Sequence, residues 1–236
     1  MSLQRSPPLK VRCRGPFACF TRPELKVERM SYPVMTPSAA RGLLEAILWK
    51  PAIQWHIERI LVLSEIRFVA FRRNEVNRKA TTPAKGVIEN GGLVDHYFAD
   101  DDRAQRNTVT LRDVDYIVEA RFSLTPRAGA DDNVSKFVDM FERRVAKGQT
   151  FHQPYLGCRE FVADITPGDG APEPIPENRN LGIMLWDIEY KQDGNRPVFF
   201  SGELERGVLD VPGTAEEALA TLAENEEPER VPGGGR

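Results

Sequence analysis

Few residues in this chain have the chemistry to act on a substrate. The clearest is His152, in the stretch "GQTFHQPYLGCREF", which follows a helix end and precedes a strand, with Gln153, Tyr155 and Arg159 close by. A neutral imidazole there can accept a proton near neutral pH, so His152 is a candidate for general acid–base work. The other two histidines carry less. His56 follows Trp55 in a strand-like run and reads as a structural residue, while His96, in the acidic "VDHYFADDD", reads as part of a solvated loop that could attract a cation. None of the three is spaced with another His or Cys to hold a metal, and no metal or other cofactor is expected. Cys13, Cys19 and Cys158 form no CxxC pair and no even framework, which argues against both disulfides and zinc; Cys13 and Cys19 read as small core hydrophobes. There is no P-loop, dinucleotide fingerprint, HExxH or GxSxG, so nucleotide hydrolysis by a standard motif is not indicated.

Charge adds a second signal. The overall formal charge is −3, but residues 1–79 hold 15 Lys and Arg against 6 acids, and the remainder holds 17 against 29. A basic third is a candidate footprint for a polyanion, because clustered cations neutralise phosphates and release counterions. The other reading is a solvated basic face.

The elements that must position these residues follow from periodicity. In "LKVRCRG", Val11 and Cys13 alternate with Arg12 and Arg14, which predicts a strand. Prolines 16, 23, 33 and 37 keep the next stretch extended. A helix then starts with Thr36 as N-cap and Pro37 at its first position, and Ala40, Leu43, Leu44, Ile47 and Leu48 form its apolar stripe. Pro51 ends it, because it lacks an amide hydrogen and disfavours helical geometry in Lys50. "AIQWHIERILVLSEIRFVAFRR" predicts two strands broken near Ser64 and Glu65, and "VDYIVEARFSL" predicts another. A second helix is expected from Asp132 to Lys147 with Gly148 as its stop, followed by strands near Leu156 to Ala163 and Ile183 to Tyr190.

The order strand, helix, strand, strand, helix, strand is that of an α+β, ferredoxin-like (RRM-like, βαββαβ) fold. The expected division is a domain over 1–165 with an irregular or hairpin insertion at about 74–110, a β-rich extension over 166–212, and an acidic, flexible tail over 213–236. No apolar run approaches the roughly 18 residues needed to span a bilayer and no signal-peptide core is visible, so the expected location is the cytoplasm, away from any membrane.

Four separated stretches, "ACFTRPELKVERMSYPVMTPSAARGLLEAILWKPAIQW", "RRNEV", "LRDVDYIVEARF" and "QTFHQPYLGCREF", resemble the type I-C member of the fifth CRISPR-associated protein family, part of the RAMP superfamily. The resemblance runs in the same order over about residues 11–190. It implies a subunit of the surveillance complex called Cascade that holds the 5′ handle of the guide RNA (crRNA) and touches the backbone protein and the large subunit, meeting target DNA only through that complex. It also implies metal-independent endoribonuclease cleavage of precursor crRNA at the repeat hairpin. For that reaction the resemblance implies a tyrosine just before "WKP" and an adjacent Lys-His pair at the start of the second helix. Here those positions are Leu48, Lys136 and Phe137. Leu48 and Phe137 cannot transfer a proton, which leaves Lys136 as charge stabiliser and His152, Tyr32 or Tyr155 as replacements. If none serves, the alternative is a non-catalytic crRNA-binding assembly subunit; an unrelated ferredoxin-like domain acting on a small molecule is a weaker one. Handle binding needs distributed cations and a stacking surface, for which the candidates are Arg22, Lys26, Arg29, Lys50, Arg72, Arg73 and Arg159, with Trp49 or Phe20 for stacking.

Overall fold

The computed structural model describes residues 4–25, 27–78, 82–92, 98–191 and 194–225. In chain order the elements are β1 (Leu9–Ala18), β2 (Arg29–Met30), α1 (Pro37–Ile47), β3 (Ile53–Val62), β4 (Phe68–Val76), α2 (Lys85–Glu89) and a 3-10 turn (Ala99–Asp102). Then come β5 (Arg103–Leu124), α3 (Val134–Lys147), β6 (Asp164–Pro167), β7 (Arg179–Lys191), β8 (Gly194–Glu205), β9 (Val208–Asp210) and α4 (Ala215–Asn225).

Among the described residues one nine-stranded sheet organises the fold, with the path β6-β1-β5-β3-β9-β8-β7 and with β2 and β4 paired to the N-terminal half of β5. All these pairings are antiparallel except β2 with β5. Strand β5 spans 22 residues because its two halves serve different partners: Leu111 to Leu124 lies between β1 and β3, and Arg103 to Leu111 pairs with β4.

The expected first helix forms as read. Thr36 Oγ1 accepts the Ala39 amide at 3.3 Å, Pro37 starts the helix, and Ala40, Leu43, Leu44 and Ile47 are buried. In α3, Asn133 caps the start, Gly148 ends it in the left-handed conformation, and Phe137, Phe141 and Val145 face inward. The two helices cover one face of the sheet. At the centre of that layer Trp55 meets Phe141 and Phe122 at ring separations of 4.8 and 5.4 Å, and Phe122 meets Phe137. These contacts bury large rings, and their tilted and edge-on geometry favours the aromatic quadrupoles.

The link from β6 to β7 must cross from one sheet edge to the other, and it runs over the face opposite the helices. The Gly168 amide donates to Lys10 O at 3.3 Å and the Ile175 amide to Val62 O at 2.9 Å. Under this crossover Glu119 is almost fully buried, and Lys10 and Arg59 neutralise it at 2.7 and 2.5 Å. A buried carboxylate is tolerated only when paired in this way.

Two expectations are corrected. No strand spans 156–163: the chain folds back on itself, with the Leu156 amide on Phe161 O and the Phe161 amide on Cys158 O, and the strand starts later, at Asp164. Gly157, at φ +83°, makes that fold-back possible. The segment expected at about 74–110 as an irregular or hairpin insertion has β4 running to Val76 and β5 starting at Arg103, paired antiparallel, with residues 79–81 and 93–97 outside the described residues. Strand β4 alternates between exposed and half-buried residues, so it shows no apolar face to read. Within the flexible tail expected over 213–236, residues 215–225 instead form a helix, α4, packed on β8, with Ala218 buried and Thr221 Oγ1 accepting the Ser201 amide at 2.9 Å, and residues 226–236 lie outside the described residues.

Candidate functional site

The C-terminal end of α1 is where the candidate residues meet. A helix end leaves carbonyls without partners. Here Arg144 Nη1 donates to Ile47 O at 2.6 Å, and the amides of Phe151 and His152 donate to Ala46 O at 2.8 and 3.1 Å. Trp55 Nε1 donates to Leu48 O at 3.0 Å, fixing the turn into β3. These bonds hold the 149–153 loop and α3 against the same end of α1. From it Trp49 projects into solvent, 55% exposed, with Lys50 exposed beside it.

On one flank of this junction lies a cleft of about 710 Å³ lined by Glu45, Trp49, His152, Tyr155 and Arg159, among others. The His152 ring stands edge-on to Phe151 at 4.4 Å, which limits its swing. Three of the expected site residues, Trp49, His152 and Arg159, are thus brought together, and Tyr155 joins them. Arg159 makes no ion pair among the described residues, so its guanidinium is open to an anion.

On the other flank Lys136 Nζ binds Asp132 Oδ1 at 2.9 Å. That bond, the Gly129 amide and the nearby charges of Lys136 and Lys50 hold the Asp132 carboxyl below its ordinary pKa. Lys136 thus pairs with Asp132 while Lys50 acts on that acid only through its nearby charge, so both cations lie on this flank. Lys136 does not line the His152 cleft. The junction 49–51 stands between them.

Leu48 and Phe137 are core residues. Leu48 is fully buried at the α1 cap, and Phe137 is 2% exposed against Phe122. Tyr32 is also removed from solution: it is 1% exposed under the Arg22 guanidinium, and burial raises its pKa. Phe20, expected as a stacking surface, is buried against Tyr116 and cannot receive a base.

The basic residues divide by what they touch. Arg22 pairs with Glu24 at 3.5 Å while lying over the Tyr32 ring. Arg29 and Arg73 share Glu160, at 2.9 and 2.6 Å, and both approach Glu75, which also pairs with Arg106. Arg72 points to the opposite side of β4, exposed and without an ion pair among the described residues. Lys26 and His96 lie outside the described residues.

Arg41 is the residue the sequence concealed. It holds Asp187 of β7 through two bonds of 2.8 and 2.7 Å and Glu45 at 2.8 Å. Burial opposes its charge, but the two carboxylates outweigh burial and raise its pKa. It ties α1 to β7 beside the cleft. Only the i, i+4 spacing to Glu45 was visible beforehand, because Asp187 is 146 residues away. Among the described residues no three His, Cys, Asp or Glu side chains gather to hold a metal ion. No helix among them is long and apolar enough to cross a membrane.

Comparison with known proteins places this geometry. The family model described as CRISPR-associated protein (Cas_Cas5) matches residues 8–212. A Mannheimia succiniciproducens protein named CRISPR pre-crRNA endoribonuclease Cas5d is 47% identical over 213 residues, covering 86% of this chain and 94% of the relative. A Thermus thermophilus protein of the same name is 42% identical over 235 residues, covering 92% and 96%. Among solved structures, one titled "Crystal Structure of CRISPR-associated Protein" superposes with a TM-score of 0.67 at 22% identity, covering 92% of this chain and 97% of the other. A chain of a "CRISPR RNA-guided surveillance complex" gives 0.51 at 14% identity, covering 92% and 98%; both show likeness of fold. With a family model spanning most of its length and two relatives above 40% identity, the chain belongs to the Cas5 family of CRISPR-associated proteins, in its type I-C branch.

Proposed function

We propose that this protein is a Cascade subunit that binds the 5′ handle of crRNA and cuts precursor crRNA as a metal-independent endoribonuclease. Its relatives carry the name pre-crRNA endoribonuclease, and a chain of similar fold sits in an RNA-guided surveillance complex. The observation that carries the reading is the cleft in which Trp49, His152, Tyr155 and Arg159 converge beside Lys50 and Lys136.

The reaction is a transesterification. The 2′-hydroxyl next to the scissile phosphate loses its proton and attacks phosphorus, and the 5′-oxygen leaves with a proton, giving a 2′,3′-cyclic phosphate and a 5′-hydroxyl. In the cleft His152 moves protons, Arg159 holds a phosphate and a base stacks on Trp49, while Lys136 offsets charge on the phosphorane from across the 49–51 junction once the bound strand is drawn over both flanks. An RNA strand lying over the 49–51 junction meets both flanks. Arg72 and Lys50 extend the backbone path, whereas Arg22, Arg29 and Arg73 first have to leave their acids. Lys26 is kept as a further contact. The partners are the backbone protein and the large subunit, with target DNA met through the complex, in the cytoplasm.

The strand order β6-β1-β5-β3, with α1 and α3 in the two crossovers, supports reading residues 1–165 as a ferredoxin-like RAMP domain. Residues 166–212 are its β-rich extension.

The test is cleavage of cognate repeat RNA in EDTA. His152→Ala is expected to slow cleavage by about 10²- to 10⁴-fold, the usual worth of a general acid–base group. Lys136→Ala is expected to cost about 10²-fold or more. An unchanged rate in either variant removes that residue from the mechanism. The burial of Leu48 and Phe137 favours a second reading, an assembly subunit without nuclease activity. Tight handle binding by the wild-type protein without any cleavage would select it.

A further inference from the structure

Beside the cleft, two cysteines far apart in sequence lie against each other. Cys19 follows the end of β1 and is fully buried, and its amide donates to Leu156 O at 3.0 Å. In its protonated form the Cys158 thiol donates to Cys19 O at 3.5 Å. Both sulfurs contact the Thr21 hydroxyl, at 3.6 Å for Cys19 and 3.7 Å for Cys158. Between them the backbone leaves no room: a Cβ on Gly157 would run into the Cys19 carbonyl.

Their surroundings differ. Cys158 is partly exposed and Arg29 Nη1 lies 3.9 Å from its sulfur. The Cys19 thiol, the Thr21 hydroxyl and the Arg29 charge hold the Cys158 pKa below that of an ordinary thiol, against burial and the Glu160 carboxylate; Cys19 is pushed up, first by its hydrogen bond with Cys158 and then by burial. A partly exposed sulfur favoured as thiolate, backed by a second buried thiol, is the arrangement that reacts with peroxides and then resolves. Cys13 offers an internal contrast, fully buried with no second thiol among its contacts.

From this geometry we infer that Cys19 and Cys158 form a peroxide-responsive dithiol that closes into a disulfide next to the segment carrying the cleft residues Tyr155 and Arg159. The Cys158 thiolate attacks hydrogen peroxide, breaking the O–O bond; it becomes the sulfenic acid and hydroxide leaves. The Cys19 sulfur then displaces the sulfenic oxygen as water, forming the S–S bond. In sum two thiols and one peroxide give one disulfide and two waters. The bridge joins residues 139 positions apart and fastens the segment that carries Tyr155 and Arg159 to the end of β1.

The experiment uses the full-length protein treated with hydrogen peroxide or dithiothreitol, then digested without reduction for mass spectrometry. The expected product is a peptide pair linked through Cys19 and Cys158, lighter by two hydrogens and absent after dithiothreitol. In Cys19→Ser, Cys158 is expected to persist as a sulfenic acid that dimedone captures. In the untreated native protein at neutral pH, iodoacetamide is expected to label Cys158 at least about tenfold faster than Cys13. Equal labelling of the two, oxidation of Cys158 with Cys19 left as free thiol in the wild type, or a cross-link only between protein copies would each overturn the inference. The wild-type measurements stand even if the variant folds poorly.

Discussion

At single positions, chemistry depends on exposure as much as on residue type. Phe137 occupies the place where the family resemblance calls for a histidine, yet its ring is packed against Phe122 beneath α3. Phe137→Ala is therefore expected to lower stability by about 3–5 kcal/mol, read from urea unfolding, through lost transfer energy and a cavity. Phe137→Leu, which keeps most of the volume, should cleave RNA at the wild-type rate per folded molecule; a folded but inactive Phe137→Leu would show that the ring acts in the reaction. His56 gives a pH prediction. Burial, helped by the charge of Arg5, holds its pKa below the ordinary 6.5, with Glu58 opposing. The unfolded chain thus takes up a proton that the folded protein resists, so stability is full above about pH 6.5 and falls as pH drops from there toward the folded value. Between pH 7.5 and 5.5 the urea midpoint should fall less in His56→Gln than in the wild type. An equal fall would remove His56 from the acid sensitivity.

Among the elements, those with a local cause were legible. Thr36, Pro37 and the apolar stripe through Ile47 specify α1, Pro51 its end, and Gly148 the end of α3, whose start falls two residues after the expected Asp132 because Asn133 is the cap. Alternation in Val114 to Phe122 gave the core half of β5, but its other half pairs with β4 in a ladder whose alternate residues stay exposed, so no hydrophobic period marks it. The reading of an acidic flexible tail missed α4, although that helix has local causes: Thr214 Oγ1 accepts the Glu217 amide, the Glu217 carboxylate accepts the Gly213 amide, and docking on β8 adds to them. The site was legible in the same way. His152 and Arg159 are close in sequence to each other, whereas their meeting with Trp49 depends on the bonds that seat the 149–153 loop on the end of α1. The fold-back at 155–162 rests on Gly157, where φ is +83° and the Cys19 backbone is in contact. Gly157→Ala is expected to cost well over about 1 kcal/mol, because strain and a backbone clash add. It should also weaken RNA binding through displaced Arg159, which a melting curve and a binding isotherm would show together; a variant as stable as the wild type would mean the fold-back is not required.

For the molecule as a whole, a basic first third is not the same as a free basic surface. Arg29 and Arg73 are held by Glu75 and Glu160, Arg12 by Asp115, and Arg41 by Asp187 and Glu45, so Asp115, Glu160 and Asp187 from the later part of the chain, together with Glu45 and Glu75 of the first third itself, neutralise much of the early charge. Of the expected basic contacts among the described residues, those without an ion pair are Arg159 in the cleft, Lys50 beside it and Arg72 on the exposed side of β4. Each phosphate contact on a single strand contributes about −0.7 to the slope of log K against log salt. Removing Lys50, Arg72 or Arg159 singly should therefore make that slope shallower by about 0.7 each. Arg73→Ala should leave the slope nearly unchanged, because breaking its pairs to take up a phosphate exchanges one anion for another. If Arg73→Ala instead flattens the slope as much as Arg159→Ala does, the Glu160 pairs open when RNA binds. The RNA path would then extend from the cleft onto β4 and the N-terminal half of β5.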